Sequence, residues 1–167
     1  MKVIFLRHAE AEAAGAGGDE GRELTRQGRK DAKIAAVALQ RLGEVVDVIL
    51  ASPLVRARQT AEIAAKVLGA EVREENSLTP SGDAKRLRSR LQALGEDGRQ
   101  NILVVGHNPS MEAMLSIYIS GSAQAEIRLG KACAAGIELP LAGEGKAQLE
   151  WLLKRKQLAM VAGAASA

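Results

Sequence analysis

Val3-Ile4-Phe5-Leu6-Arg7-His8 is an apolar run broken off by a guanidinium and an imidazole, and Ile102-Leu103-Val104-Val105-Gly106-His107 has the same form 99 positions later. Both runs are apolar at consecutive positions and rich in strand-favouring residues, the pattern of a strand covered on both faces of a parallel sheet. Val45 to Leu50 is a third such run, ending at Ser52-Pro53. Helical spacing fills the gaps. Thr25 is an N-cap for a helix whose inward positions are Ala32, Ala35, Ala36, Leu39 and Leu42, stopped by Gly43. Ser52-Pro53 starts a helix that Gly69 closes, and Ala84, Leu87, Leu91 and Leu94 mark another, opened near Ser81. Asn108 suits an N-cap, with Pro109 at the first position of a helix carrying Met111, Met114, Leu115 and Tyr118. Short strands are expected at Ala70 to Arg73, Ala132 to Leu139 and Gln148 to Leu153, the last two joined by a turn at Gly143-Glu144-Gly145. Strands alternating with helices of ten or more residues predict an α/β protein: a three-layer α/β/α sandwich on a mostly parallel central sheet of about six strands. The segment from Ala9 to Glu23, with Gly15, Gly17, Gly18 and Gly21, reads as a mobile loop. The chain of 167 residues reads as one domain over 1–156, followed by an Ala-rich tail, 157–167, expected to fray.

Composition narrows the function. Lys and Arg total 23 against 20 Asp and Glu, a net charge of +3, which is far from the concentrated basic charge of a nucleic-acid binder. The three aromatic residues, Phe5, Tyr118 and Trp151, offer almost nothing on which bases stack. No apolar run approaches the roughly 18 residues of a membrane span, and the run before Arg7 is too short for a signal-peptide core. A single cysteine, Cys133, has no partner for a disulfide or a zinc cluster, so the cytoplasm is the natural compartment and the Cys a small apolar residue.

Only two histidines exist, His8 and His107, and each follows a strand end. Ligands of open α/β sheets bind beyond the carboxyl ends of the strands, where loops and helix N-termini converge. Arg7-His8, Ser52 to Arg56 and Gly106-His107-Asn108 all leave such ends. Two guanidiniums match a dianionic phosphoryl group bidentately, and a neutral imidazole is a nucleophile near pH 7. The set predicts phosphoryl transfer through a phosphohistidine.

Leu6-Arg7-His8-Ala9, Leu24-Thr25-Arg26-Gln27-Gly28, Ser52-Pro53-Leu54-Val55-Arg56-Ala57-Arg58-Gln59-Thr60 and Val105-Gly106-His107-Asn108 resemble, in order, four motifs of the histidine phosphatase superfamily. That superfamily also contains the phosphoglycerate mutases, and within it the chain most resembles the small SixA-type phosphohistidine phosphatases. The first motif departs from the usual Arg-His-Gly by carrying Ala9. The resemblance implies a phosphoglycerate mutase-like fold, His8 as nucleophile, Arg7 and Arg56 as phosphate clamps and His107 as the remaining phosphate ligand, with no metal or cofactor. Arg56 and His107 are 51 positions apart, and the expected helices and strand occupy most of that length. Members acting on small metabolites place a lid there; this chain has no room for a lid subdomain. An open pocket suits a phosphorylated protein of the histidine phosphotransfer type. The alternatives are a small-molecule phosphomonoester phosphatase of the same superfamily and a non-catalytic module that binds phosphoproteins.

Several residues carry two readings. Arg56 is a phosphate clamp or a solvated residue beside Arg58; the two stand at i and i+2, so at most one points into the pocket, and the register of the resembled motif selects Arg56. Ser52 either binds phosphate or starts a helix; Asn108 is a cap or a substrate ligand. No motif places the general acid, for which Glu10, Glu74, Glu75 and Asp83 are candidates, and a phosphohistidine, whose leaving group departs as neutral imidazole, does not require a strong one. Lys85, Arg86, Arg88 and Arg90 read as a solvated helix face or a dock for an acidic partner, and Met111 and Met114 as core fillers.

Overall fold

A computed structural model describes residues 1–15, 18–140 and 145–164. In chain order the elements are β1 (Lys2–Arg7), α1 (Arg26–Arg41), β2 (Val48–Ala51), α2 (Val55–Leu68), β3 (Glu71–Glu74), a 3-10 turn (Asn76–Leu78), α3 (Ala84–Glu96), β4 (Asn101–Gly106), α4 (Ser110–Ser120), β5 (Ala134–Glu138), β6 (Gln148–Leu153) and α5 (Arg155–Val161). The six strands form one sheet in the order β3-β2-β4-β1-β5-β6. Its first four strands run parallel, and β5 lies antiparallel to both β1 and β6. The sheet is therefore mixed but mostly parallel, as expected from the sequence.

The period of two along each strand sorts the apolar side chains into two cores. Val3, Phe5, Leu50 and Val104 pack on one face with Leu87, Leu91, Met111 and Tyr118 of α3 and α4. Ile4, Leu6, Ile49 and Val105 pack on the other with Ala35 and Leu39 of α1, Ala57 and Ala61 of α2, and Leu158 of α5. These are the outer layers of the sandwich. Phe5 and Tyr118 meet edge to face, with ring centroids 6.1 Å apart. The stretch between Arg56 and His107 is taken up by α2, β3, the 3-10 turn, α3 and β4, so no lid is inserted there.

Helix ends follow their local chemistry. Thr25 caps α1 by accepting from Gly28 N, and Gly69 closes α2 with φ +72°. Gly28 also has a steric reason: a Cβ there would collide with the Glu10 carbonyl, because the first loop passes directly over the start of α1. Other boundaries differ from expectation. Helix α2 begins at Val55 rather than at Ser52-Pro53, with Leu54 at its cap. Helix α3 is opened not near Ser81 but by Asp83, whose carboxylate accepts from Lys85 N and Arg86 N. Asn108 caps nothing; Pro109 takes the cap position of α4 and the Asn108 amide turns away to Leu129. Within the tail expected to fray, 157–161 continue α5, with Leu158 buried and Arg155 bound to the Asp31 carboxylate on α1 at 3.1 and 3.3 Å, while 165–167 lie outside the described residues. At the ends of the segment read as a mobile loop, Ala9 and Ala11 are buried and Ala11 is paired to Leu24. Gly17, and Gly143 and Glu144 of the expected turn, lie outside the described residues.

Candidate active site

The parallel register that aligns Arg7 with Gly106 and Ala51 with Val105 decides what meets at the sheet edge. One residue further on, His8 N donates to Gly106 O at 3.0 Å and Ser52 N donates to Val105 O at 3.0 Å. Three strand ends thus bring His8, His107 and Ser52 side by side. The two imidazole centroids are 4.9 Å apart, tilted by 50°, with His8 6% and His107 1% exposed.

The two rings are held differently. His8 Nδ1 lies 2.7 Å from the Ala9 carbonyl oxygen. A carbonyl only accepts, so Nδ1 carries the proton and Nε2 presents its lone pair. His107 Nε2 lies 2.9 Å from Ser52 Oγ, while its Nδ1 is buried with no protein partner. If the Ser52 hydroxyl donates to Nε2, Nδ1 carries a proton directed at an acceptor such as a phosphoryl oxygen. Burial lowers His8 from 6.5 to about 4, and the Arg56, Arg7 and Lys131 charges add to it against the opposing Ala9 hydrogen bond. Burial lowers His107 to about 3, helped by His8, Arg56 and Arg7 and opposed by Asp19. Both rings are neutral at pH 7.

The two guanidiniums are set by neighbouring loops. Arg7 NH1 donates to Leu129 O at 3.1 Å. Arg56, buried in the first turns of α2, donates to Asp19 O at 2.6 Å and to Asp19 Oδ2 at 2.9 Å. Asp19 is also bound by Arg22 at 2.9 Å; these two arginines hold its carboxyl below the usual range, Arg22 contributing most. Thr60 Oγ1 donates to Arg56 O at 2.7 Å and accepts from Ala9 N at 3.2 Å, and Gln59 Oε1 accepts from Leu24 N at 2.8 Å. The first loop is thereby fastened to the helix that carries Arg56. Arg58 is exposed and lies 3.9 Å from Glu62, as its helical offset demands.

The structure thus brings Arg7, His8, Arg56, His107 and Ser52 together, and leaves Asn108 beside them as a donor to Leu129. The four acid candidates are engaged elsewhere or lie outside. Glu10 is exposed and accepts from Thr25. Glu74 ends β3 at the surface, Glu75 binds Ser77 and faces Arg90, and Asp83 caps α3. Asp19 supplies a carboxylate bound to Arg56 that the sequence does not single out, because it sits in an acid- and glycine-rich stretch without periodicity. Its one signal was Arg22 three positions later. Two grooves flank the site: one of about 660 Å³ bounded by Arg7, Pro109, Glu112 and Leu129, the other of about 500 Å³ bounded by Glu20, Pro53, Leu54 and Thr79. Among the described residues no three His, Cys, Asp or Glu side chains converge to hold a metal ion.

Known proteins resemble this chain in sequence and in fold. Residues 3–80 match the family described as histidine phosphatase superfamily, branch 1. The chain is 36% identical over 113 residues to the phosphohistidine phosphatase SixA of Escherichia coli strain K12, spanning 65% of this chain and 68% of that protein. It is 33% identical over 128 residues to the SixA homolog of Haemophilus influenzae, spanning 71% and 77% respectively. The chain belongs to the histidine phosphatase superfamily. The solved structure of the protein histidine phosphatase SixA with tungstate superposes at a TM-score of 0.86 and 26% identity, covering 95% of this chain and 99% of that one. The fold is therefore that of a SixA-type member, and the activity class is phosphatase. No helix among the described residues is long and apolar enough to cross a membrane.

Proposed function

We propose that the protein hydrolyses phosphohistidine on a cytoplasmic signalling protein of the phosphorelay type, through a phosphohistidine on its own His8. The observation that carries this reading is the Nδ1 bond from His8 to Ala9 O, which leaves Nε2 unprotonated beside two guanidiniums. The Nε2 lone pair attacks phosphorus in line, and the bond from phosphorus to the leaving nitrogen breaks. The leaving imidazole already carries a proton on its distal nitrogen, so it departs neutral with the electron pair of the broken bond. The absence of a placed general acid fits such a substrate. In the second step water attacks the phosphoryl group, the bond to His8 Nε2 breaks, and the proton of the water leaves with phosphate or solvent. Arg7 and Arg56 neutralise the equatorial oxygens throughout, and His107 donates a hydrogen bond to them from Nδ1.

For Arg56 to take a phosphoryl oxygen, the guanidinium must share or exchange its bonds to Asp19. Asp19 in this reading orients Arg56 before substrate arrives. The two open grooves beside the site favour a side chain presented by another protein over an enclosed metabolite. The test is release of phosphate from phosphohistidine proteins, phosphoserine proteins and small phosphate esters compared at equal concentration. Preference for phosphohistidine proteins is expected. Efficient turnover of a small ester with none on phosphohistidine protein overturns the substrate reading in favour of a metabolite phosphatase, and tight binding of phosphoprotein without phosphate release overturns the catalytic one.

A further inference from the structure

Glu112, in the first turn of α4, takes no part in the steps above, yet it is one bond away from a residue that does. Its Oε1 accepts the backbone N–H of Leu129 at 2.7 Å. The carbonyl of Leu129 in turn accepts from two side chains, Arg7 NH1 at 3.1 Å and Asn108 Nδ2 at 3.0 Å. Among the described residues this is the one hydrogen bond made by the Arg7 side chain, whose Nε is buried without a partner. Leu129 is fully buried, so its peptide has no water to turn to if Glu112 is withdrawn. The segment that follows also wraps the backbone of the site: Ala132 N donates to Arg7 O at 3.2 Å, and Arg7 N donates to Cys133 O at 3.2 Å.

We propose that Glu112 is the positioning residue of the Arg7 clamp, acting through the Leu129 peptide, with Asn108 as the second donor that fixes the same carbonyl. The proposal rests on the reading of Arg7 as a phosphate ligand. Glu112 anchors Leu129 from α4, Leu129 fixes where NH1 points, and the remaining face of the guanidinium is left for phosphoryl oxygens. The carboxylate has a second effect on the same group. Burial lowers Arg7 from its ordinary value, and the charge of Glu112 is the largest influence opposing that. The hydrogen bond and the charge separate experimentally, because glutamine keeps the acceptor oxygen and loses the charge.

The experiment compares Glu112→Ala and Glu112→Gln with the unaltered protein, each also in an Arg7→Lys background. The readouts are kcat and KM for p-nitrophenyl phosphate, the inhibition constant of orthophosphate, and thermal melting. Glu112→Ala is expected to weaken orthophosphate inhibition and raise KM by about three- to tenfold, the effect of one mispositioned charge-assisted contact. Glu112→Gln is expected to restore both to within about twofold. In the Arg7→Lys background Glu112→Ala is expected to add little, since its route to the phosphate is already altered. Unchanged phosphate inhibition in Glu112→Ala overturns the proposal, as does an equal loss in both backgrounds. If Glu112→Ala melts early, Glu112→Gln decides by itself in the other direction: a loss as large as that of Arg7→Lys, with melting intact, overturns the hydrogen-bond route. Should Arg7→Lys and Arg7→Ala both turn over and bind phosphate like the unaltered protein, the underlying reading of Arg7 fails, an outcome distinct from failure of Glu112 alone.

Discussion

The ends of β1 and β4 carry the same side chain at adjacent places in the register, and the two imidazoles nonetheless differ. His8 has its Nδ1 proton fixed by a backbone carbonyl, which no side-chain replacement removes, and therefore has an unprotonated Nε2. His107 has its Nε2 on the Ser52 hydroxyl, a partner that both donates and accepts, and a buried Nδ1 without a partner. Both are kept neutral mainly by burial. Equal residue types and nearly equal burial thus produce one ring suited to attack phosphorus and one suited to bind its oxygens. In the proposed mechanism the neighbour of the ring, rather than the ring, sets the role.

Substitutions that remove one ring at a time bear on this difference most strongly. His8→Ala is expected to lower kcat for a phosphate ester or a phosphohistidine protein by about 10⁴-fold or more, as loss of a nucleophile does. His107→Ala is expected to lower it by about 10²- to 10³-fold, the scale of one lost transition-state donor. Steady-state kinetics on folded variants checks both, and equal losses would erase the distinction. Arg56→Ala is expected to fall in the same range as His107→Ala, with the added loss of the Asp19 anchor.

A smaller effect is expected from Ser52→Ala. It removes the partner of His107 Nε2 and leaves the Nδ1 bond of His8 untouched, so a loss of about tenfold in kcat/KM is expected without loss of phosphate transfer to His8. A comparable loss in a His107→Ala background would contradict action through His107.

The smallest and most general effect concerns pH. Both rings have folded-state pKa values below 6.5, about 4 for His8 and about 3 for His107, so on acidification the unfolded chain binds protons first. Their contribution to stability is complete above about pH 6.5 and is lost on the way down towards those values, by about 1.4 kcal/mol per pH unit for each ring. The urea midpoint is expected to fall between pH 6.5 and 4, and to fall less in His8→Ala. An unchanged slope in that variant would contradict a buried neutral His8.

Much of this site is legible in the sequence because its residues sit where a strong local pattern stops. Val3 to Leu6 and Ile102 to Val105 are unmistakable strands, so Arg7-His8 and Gly106-His107 are located by their ends, and Arg56 by the register of the motif that opens at Ser52-Pro53. Asp19 has no pattern around it; only the folded path of the first loop brings it to Arg56. Asn108 has the composition of a cap, and the competing carbonyl of Leu129, 21 residues away, took its amide. The helix α5 was hidden for a similar reason. Its residues bury little by themselves, and the contacts that order it, Leu158 in the core and Arg155 on Asp31, are made across the fold. The role of Glu112 depends on a backbone N–H, which no residue identity advertises.

The proposed division of labour makes His8 the nucleophile and His107 the phosphate ligand. It is tested most directly by mixing the protein with a phosphate donor, quenching in alkali, and mapping the phosphorylated residue by mass spectrometry. Phosphate on His8 is predicted in the unaltered protein and in His107→Ala, and none in His8→Ala. Phosphate on His107, or full turnover by His8→Ala, would contradict the account.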